Sequence, residues 1–578
     1  THSTVESAIN GLDVEMPQPV YFGEKLMEAV KAGKVSEEQI NDKVRRILYA
    51  KFKAGLFDNQ PKPDSSLVNS TDHQNIALEV ARKSIVLLKN ENSILPIDKS
   101  KIKSIAIIGP NAKVARTSGG GSATVIPYYS VSPFEGLEKK LGKEVTINYA
   151  LGDELDIKGV AGIGPEFFYT SEDKSTPGLK AEFFNNIDLK GEPVLTRVDK
   201  NIDFNFLDGS PAPGINKDNF GIRWSGVLIS PVPKKYMIST FSDDGVRLFI
   251  DGKKVIENWD FHGTEKDSVE IFLDQNTPHK VVLEYFDGQM GAGIKLAWDH
   301  GAEAKKSNEQ LIKEAVEAAK KSDIAIIFAG LSSQYESEGR DVDPVLAYPK
   351  NQDKLISAVL KANPKTIVVK YGGVGIIPGE WINKVPGFID ALYPGQEGGN
   401  AIAEILLGET NPSGKLPFTY LKKKTDSPAY KGYMDPSLNA VYSEGIYIGY
   451  KFYEKNNIDV LFPFGYGLSY SNFEYSDLKV NKTGRNTFEV NVTVKNTGSV
   501  AGEEIAQLYV KPINPKIDRP FKELKGFGKV GLNGGEAKTI KFTLSDKAFA
   551  YFDTASKKWK VDQGEAEIVV GSSSKDVK

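Results

Sequence analysis

The sequence of 578 residues contains no cysteine and only five histidines. Without cysteine, the chain cannot form a disulfide bond, a thiolate zinc site or a thiol nucleophile. The histidines lie apart from one another, without the spacing of metal ligands: they are His2, His73, His262, His279 and His300. We therefore expect no metal ion and no other cofactor, and neither absence indicates a cellular compartment.

Long apolar runs and an excess of one charge are also lacking. No run reaches the roughly 20 apolar residues that a helix needs to span a bilayer, so we expect no membrane partner. Lys and Arg number 73 and Asp and Glu 76, which gives a net charge of -3, and no basic stripe predicts a nucleic-acid partner. The opening "THSTVESAIN" has neither an initiator methionine nor a basic leader, so Thr1 is not expected to be a natural start.

The length predicts several domains, because a single hydrophobic core stops growing at roughly 250 to 300 residues. We expect three or four. Near the start, apolar spacing in residues 24–57 predicts two amphipathic helices, with a break after Ala32 and a cap at Ser36. A third helix is predicted from about His73 to Asn90.

Short β-branched runs that alternate with helical patterns predict a mainly parallel sheet. Strands that are apolar on both faces are typical of a sheet covered on two sides by helices. We assign residues 61–160 and 305–420 to the two parts of this α/β sandwich domain. The runs are 103–112, 322–330, 365–373 and 387–395.

Two further regions are predicted to be all-β. Residues 165–300 have almost no helical periodicity, and their alternating strands are separated by Asp-Gly turns, which predicts an all-β region inserted into the α/β domain. Residues 471–578 alternate in the same way and predict a C-terminal β-sandwich. The stretch between, 421–470, is rich in aromatic residues and glycine and is predicted to wrap as a linker.

Several long motifs resemble the C-terminal half of glycoside hydrolase family 3. They are "ESEGRD" (336–341), "YPGQEGGNAIAEILLGETNPSGKLPFTY" (393–420), "VYSEGIYIGYKFYEK" (441–455) and "FPFGYGLSYSNF" (462–473). "THSTVESAINGLDVEMP" is similar to the eighth strand region of that family's (β/α)8 barrel, so the resemblance makes residues 1–60 the last strand and helices of a barrel. "FSDDGVRLFIDGKKVIENW" (241–259) resembles part of a protective-antigen-like β-sandwich, so the resemblance makes residues 165–300 an inserted β-sandwich of this kind, and the C-terminal sandwich resembles a fibronectin type III-like domain.

The resemblance implies retaining hydrolysis of terminal non-reducing β-D-glucosyl residues by a β-glucosidase-type enzyme. Such hydrolysis uses a nucleophile and an acid/base, two carboxylates roughly 5 to 5.5 Å apart. Glu338 matches the acid/base, and Asp341 matches a substrate-binding acidic position, although Val342 replaces the arginine that usually follows. The family's nucleophile is an Asp that would lie upstream of Thr1. We interpret Glu336 and Asp343 as solvated loop carboxylates.

Two other segments are predicted to contact the sugar. The loop "TSGGGSATVIP" (117–127) lacks the ending of a phosphate loop, and the resemblance places Gly120, Gly121 and Ser122 near the substrate. Trp259, Phe261 and His262, in "NWDFHG", either roof the pocket by stacking on sugar rings or belong to the sandwich core and an exposed loop. Asp243 and Asp244 are predicted to form a turn, whereas in some binding proteins such a pair holds calcium and a glycan.

The expected partners are an oligosaccharide or aryl β-glucoside substrate and an N-terminal barrel part, in the same polypeptide or in a partner chain. Whether the protein is a homo-oligomer is left open. Two alternatives to the β-glucosidase are kept: a catalytically silent carbohydrate-binding fragment, and a β-xylosidase of the same family.

Overall fold

The computed structural model describes residues 2–16, 18–58, 62, 64–155, 161–207, 209–289, 291–299, 306–336, 338, 346–432, 439 and 441–578. The chain divides into two compact units, Thr1–Ala77 and Leu78–Lys578. None of the helices in these described ranges is long and apolar enough to cross a lipid bilayer.

The first unit is helical. The two predicted helices and their break are confirmed, and Ser36 caps the second by accepting a hydrogen bond from the Gln39 amide at 3.2 Å. Residues 2–16 and 18–58 contain helices but no strand, so the barrel strand predicted near the start is not observed there. A barrel strand forms only against neighbouring strands, which this segment does not itself provide. The helices are α1 (Val5–Ile9), α2 (Glu24–Lys31), α3 (Glu37–Lys53) and α4 (Thr71–Ser84), the last of which continues into the second unit.

The α/β sheet starts earlier than the sequence predicts. The helix predicted to end near Asn90 is wrong beyond Ser84, because Val86–Asn90 is the first strand of the sheet. The apolar residues Val86, Leu87 and Leu88 are fully buried there, and this burial outweighs their helical spacing. The elements of this first part are β1 (Val86–Asn90), β2 (Ser104–Ile108), α5 (Pro133–Leu141) and β3 (Thr146–Ala150).

The inserted region is a β-sandwich. Its two largely antiparallel sheets have the orders β13-β10-β15-β4, with β8 on β15, and β12-β11-β14-β9-β6-β7, with β5 on β9. Large buried aromatic residues, among them Trp224, Tyr236 and Trp298, form its core. The strands are β4 (Ala161–Gly162), β5 (Phe168–Tyr169), β6 (Leu179–Phe184), β7 (Leu195–Asp199), β8 (Asp203–Leu207), β9 (Phe220–Ile229), β10 (Lys234–Asp243), β11 (Val246–Ile250), β12 (Lys253–Asn258), β13 (Glu265–Leu273), β14 (Pro278–Asp287) and β15 (Ala292–Trp298).

After the insertion the chain completes the α/β sheet, whose strand order is β1-β18-β17-β16-β2-β3. All neighbours are parallel except β1, which runs antiparallel to β18. An apolar core lies on each face, as predicted for a sheet covered on two sides. The elements are α6 (Asn308–Lys320), β16 (Ile324–Gly330), α7 (Gln352–Ala362), β17 (Thr366–Tyr371), β18 (Gly387–Leu392) and α8 (Gly398–Leu406).

The C-terminal region forms a second sandwich, after a linker whose described residues include a short α-helix. Two sheets, β19-β20-β23 and β22-β21-β26, enclose an apolar core that includes Val490, Val492 and Leu508. The elements are α9 (Tyr450–Lys455), β19 (Phe473–Gly484), β20 (Thr487–Asn496), β21 (Gly502–Ile513), β22 (Glu523–Leu532), β23 (Ala537–Leu544), β24 (Tyr551–Asp553), β25 (Lys558–Lys560) and β26 (Glu565–Gly571).

Candidate active site

Four parallel strands, β2, β16, β17 and β18, end at one edge of the α/β sheet. Ligand sites in such sheets lie outside the carboxyl ends of the strands, because the loops that follow the strands meet there. The loop after β16, here named the acidic loop (331–336 and 338), carries both described glutamates of the "ESEGRD" motif. A second loop, named the glycine loop (117–127), follows β2.

Glu338 lies directly against the glycine loop. Its side chain is exposed, and its Oε2 accepts a hydrogen bond of 2.8 Å from the backbone amide of Ser122. Gly121 has a φ of +70°, and a Cβ at this position would lie 2.4 Å from the Cβ of Glu338. Glycine is therefore required here for both the backbone conformation and the close approach. The structure thus brings together the predicted site residues Gly121, Ser122 and Glu338.

Gly120 extends this contact along the acidic loop. Its amide donates a hydrogen bond of 3.1 Å to the backbone oxygen of Glu336. Three consecutive residues of the glycine loop therefore contact the acidic loop. Asp341, the remaining predicted substrate-binding carboxylate, lies outside the described residues, as do Val342 and Asp343.

Glu336 is not a solvated loop carboxylate, and that interpretation is wrong. The side chain is half-buried, and its Oε2 accepts hydrogen bonds from the Gly373 amide at 2.9 Å and from the Tyr393 hydroxyl at 2.7 Å. Burial, together with the negative charge of Glu336, raises the pKa of Tyr393, so the phenol stays protonated and donates. Gly373 and Tyr393 were missed in the sequence, although each lies at the carboxyl end of a run predicted as a strand, one or two residues beyond the end of the observed strand.

A buried ion pair lies behind this contact and was also missed. Lys370 and Asp390 are both fully buried, with the Lys370 Nζ 3.2 Å from the Asp390 Oδ1. The same Nζ donates to the carbonyl oxygens of Gly372 at 2.7 Å and Val374 at 2.5 Å. Burial lowers the pKa of Lys370, and the carboxylate of Asp390 opposes this shift. In the sequence, this lysine interrupts an apolar run, "TIVVKY", which was a signal for a partnered charge.

Trp259, Phe261 and His262 lie together at one end of the inserted sandwich. The Trp259 ring packs 4.8 Å from the Phe286 ring, with the Arg247 guanidinium 3.7 Å from the Trp259 ring centroid. Phe261 also contacts Phe286, at 5.3 Å, and is 66% exposed. Phe261 thus lies in an exposed loop, and Trp259 is partly buried. Their contact with a sugar stays a prediction.

The neighbouring aspartates form the predicted turn. Asp244 accepts hydrogen bonds from the His262 amide at 2.9 Å and from the Gly288 amide at 2.8 Å.

Asp287 is fully buried, and its carboxylate has no hydrogen-bond partner in the described part of the chain. Burial raises its pKa to about 7, and the charges of Asp244, Asp218 and Asp243 add to the shift. Within the described ranges, no group of three or more His, Cys, Asp or Glu residues has the geometry of a metal site.

Known proteins share both the motifs and the fold. Residues 85–470 match the family model for the glycosyl hydrolase family 3 C-terminal domain, and residues 504–574 match the one for the fibronectin type III-like domain. The chain belongs to glycosyl hydrolase family 3. Among family 3 relatives, a β-glucosidase of Rhizobium radiobacter is 32% identical over 601 residues, which cover 100% of this chain and 71% of the relative. A β-glucosidase of Kluyveromyces marxianus is 34% identical over 617 residues, with the same coverage of 100% and 71%.

Solved structures agree with this assignment. The K. marxianus β-glucosidase in complex with glucose superposes with a TM-score of 0.80 at 32% identity, covering 100% of this chain and 71% of that one. A Streptomyces venezuelae β-glucosidase in complex with D-glucose has a TM-score of 0.69 at 30% identity, with coverage of 99% and 69%. This family 3 chain is thus a β-glucosidase-like glycoside hydrolase with a mixed α/β domain and a fibronectin type III-like domain. The barrel remnant and the protective-antigen-like character of the inserted sandwich stay predictions.

Proposed function

We propose that this chain supplies the acid/base of a retaining β-glucosidase that hydrolyses terminal non-reducing β-D-glucosyl residues. The observation that carries the proposal is the position of Glu338: an exposed carboxyl group at the carboxyl edge of the sheet, fixed by the Ser122 amide. Family 3 relatives named as β-glucosidases support the substrate class.

In the first step, the Glu338 carboxylic acid donates its proton to the glycosidic oxygen while the bond from that oxygen to the anomeric carbon breaks. A second carboxylate attacks the anomeric carbon and forms a glycosyl ester. In the second step, the Glu338 carboxylate takes a proton from water, and the resulting hydroxide displaces the ester. The protonated acid, the free nucleophile and the sugar are restored with the anomeric configuration retained.

The nucleophile in this proposal comes from outside the 578 residues, as the resemblance to the family implies. Glu336, two residues from the acid/base, does not take this role, because the Gly373 amide and the Tyr393 hydroxyl already bind its carboxylate. The relatives are longer than this chain, which spans 71% of the K. marxianus protein. The proposal therefore applies to the enzyme in which this chain and a nucleophile-bearing part act together.

The test is a Glu338→Gln variant of the full-length enzyme, assayed on two glucosides. Cellobiose needs protonation of its leaving group, so we expect kcat/KM to fall by about 1000-fold. A 2,4-dinitrophenyl β-glucoside needs no such proton, so its glycosylation step should stay within about threefold of wild type. Azide added to a Glu338→Ala variant should yield the β-glucosyl azide, because a small anion replaces the missing base-activated water.

The control is Glu380→Gln, which neutralises an exposed glutamate in the loop after β17. It should leave both substrates unaffected. If the Glu338→Gln variant hydrolysed cellobiose at the wild-type rate, Glu338 would not be the acid/base. The same conclusion would follow if the Glu338→Gln variant lost equal activity on cellobiose and on the dinitrophenyl glucoside.

A further inference from the structure

We propose that Glu336 and Tyr393 form a positioning pair that holds Glu338 in register for proton transfer; this inference rests on the proposed function of Glu338. Glu336 is the residue at which the loops after four of the five parallel strands meet, those after β2, β16, β17 and β18. It lies in the loop after β16 and bonds to Gly373 after β17, to Tyr393 after β18, and to Gly120 in the glycine loop after β2.

The path from the strand to Glu336 is itself a defined turn. The amides of Tyr335 and Glu336 both donate to the backbone oxygen of Ser332, at 2.9 Å and 3.0 Å. Ser332 is fully buried, so the start of the turn is fixed by packing. The end of the turn is fixed by the two side-chain hydrogen bonds of Glu336. Only one residue separates this anchor from Glu338, and two residues span at most about 7 Å, so the position of Glu336 limits the positions that the acid can reach.

Both donors to Glu336 are held in place. The Lys370 ammonium binds the carbonyl oxygens on either side of Gly373, those of Gly372 and Val374, which fixes the orientation of the Gly373 amide. Tyr393 directly follows β18, and the raised pKa of its phenol keeps the hydroxyl a donor. The carboxylate of Glu336 thus accepts hydrogen bonds from two donors that lie in different loops. Glu336 is therefore a hydrogen-bonded anchor for the acidic loop.

The geometry at the glycine loop shows why this anchoring matters for the reaction. Glu338 lies so close to Gly121 that no Cβ would fit between them, and its Oε2 depends on the Ser122 amide. A loop displaced by about 1 Å would break this hydrogen bond and move the proton away from the glycosidic oxygen. Misplacement on this scale costs up to about 100-fold in rate.

The test uses Glu336→Ala, Glu336→Gln and Tyr393→Phe variants of the full-length enzyme. If the pair positions the acid, kcat/KM for cellobiose falls by about 100-fold in Glu336→Ala, while kcat/KM for the dinitrophenyl glucoside, which reports only the glycosylation step, changes by less than about threefold. Glu336→Gln keeps one acceptor oxygen and should recover part of the loss. Tyr393→Phe, which keeps the ring, should lose about tenfold on cellobiose, because one hydrogen bond to a charged group is missing.

The matched control is Tyr475→Phe. The Tyr475 hydroxyl donates to the Glu504 carboxylate at 2.7 Å, as Tyr393 does to Glu336, but lies in the C-terminal sandwich. It should lower thermal stability without a preference between the two substrates. Equal losses on both substrates in Tyr393→Phe, or the same selectivity in Tyr475→Phe, would overturn the positioning role.

Glu338→Gln in the same assay separates this proposal from the one it rests on. If Glu338→Gln shows no selectivity for the activated leaving group, the acid/base assignment itself has failed. If Glu338→Gln is selective and the Glu336 and Tyr393 variants are not, only the positioning pair has failed. Each outcome therefore supports or removes one identifiable statement.

Discussion

The carboxyl edge of the α/β sheet and the aspartate-rich end of the inserted sandwich differ in the hydrogen-bond partners that each provides for a buried carboxylate. At the sheet edge, the carboxylate of Asp390 receives hydrogen bonds from Lys370, from the Tyr420 hydroxyl at 2.5 Å and from the Leu392 amide at 3.0 Å. At the end of the sandwich, Asp287 is equally buried, yet its two oxygens receive no hydrogen bond from the described residues.

This difference in partners determines whether a buried carboxylate tends to stay ionised or to bind a proton. A carboxylate with a cation and several donors can stay ionised while buried, since these groups replace the water that it loses. A carboxylate with neighbouring negative charges and no donor binds a proton instead, as the pKa of about 7 for Asp287 shows. The sheet edge therefore holds a hydrogen-bonded ion pair behind the acidic loop, whereas the sandwich carries a carboxyl group that titrates.

Breaking the ion pair at the sheet edge should have the largest effect. In a Lys370→Met variant, Asp390 is left buried without its cation, and the free energy of unfolding should fall by about 3 to 5 kcal/mol. The loop that presents Gly373 would also lose the bonds that Lys370 makes to its carbonyl oxygens. Denaturant unfolding, monitored by near-ultraviolet circular dichroism, measures the change.

A double variant and an exposed control make this prediction specific. Lys370→Met with Asp390→Asn removes both charges, and most of the lost stability should return, since no unpaired charge remains. Lys365→Met, at an exposed lysine just before β17, should change stability by less than about 0.5 kcal/mol. A Lys370→Met variant as stable as Lys365→Met would contradict a stabilising role for the buried Lys370–Asp390 ion pair.

The sequence predicts the strands of the α/β sheet better than it predicts the contacts between the loops at the carboxyl edge of that sheet. The strands of the α/β sheet were predicted because "IAIIFAG" and "TIVVKY" are apolar on both faces, and Glu338 was found through the motif that carries it. The role of Glu336 was not, because its donors, Gly373 and Tyr393, lie 37 and 57 residues away and no local pattern links them. The end of α4 was missed because apolar spacing alone does not separate a helix from a buried strand.

Removing the titrating group in the sandwich should have a smaller effect, and one that depends on pH. The native pKa of Asp287 lies above its ordinary value of 3.8, so the native state holds this proton more tightly than the unfolded chain. The stability that the proton contributes is fully present below about pH 4 and is lost as the pH rises through about 7, at roughly 1.4 kcal/mol per pH unit. Asp287→Asn should abolish this slope and be more stable than wild type at pH 8, where the wild-type carboxyl group is largely ionised.

Thermal unfolding between about pH 4 and about pH 8 tests the slope, with Asp260→Asn as the control. Asp260 is exposed in the same loop as Phe261, so its replacement should leave the wild-type slope unchanged. Parallel stability curves for wild type and Asp287→Asn would contradict the titration of a buried Asp287. A loss of stability in Asp287→Asn at every pH would do so as well, because it would show that the charged carboxylate has a partner.

The smallest expected effect concerns two buried tyrosines of the α/β domain. Their neutral hydroxyl groups repeat the contrast between a buried polar group with a hydrogen-bond partner and one without. The Tyr348 hydroxyl is buried without a hydrogen-bond partner among the residues the structure describes, whereas the Tyr420 hydroxyl donates to Asp390. Tyr348→Phe removes a desolvated polar atom and should change the free energy of unfolding by less than about 0.5 kcal/mol, or raise it. Tyr420→Phe should lower it by about 1.5 kcal/mol, because a charged acceptor loses its donor. Equal losses in the two variants would show that ring packing, and not the hydrogen bond to Asp390, determines the contribution of these side chains.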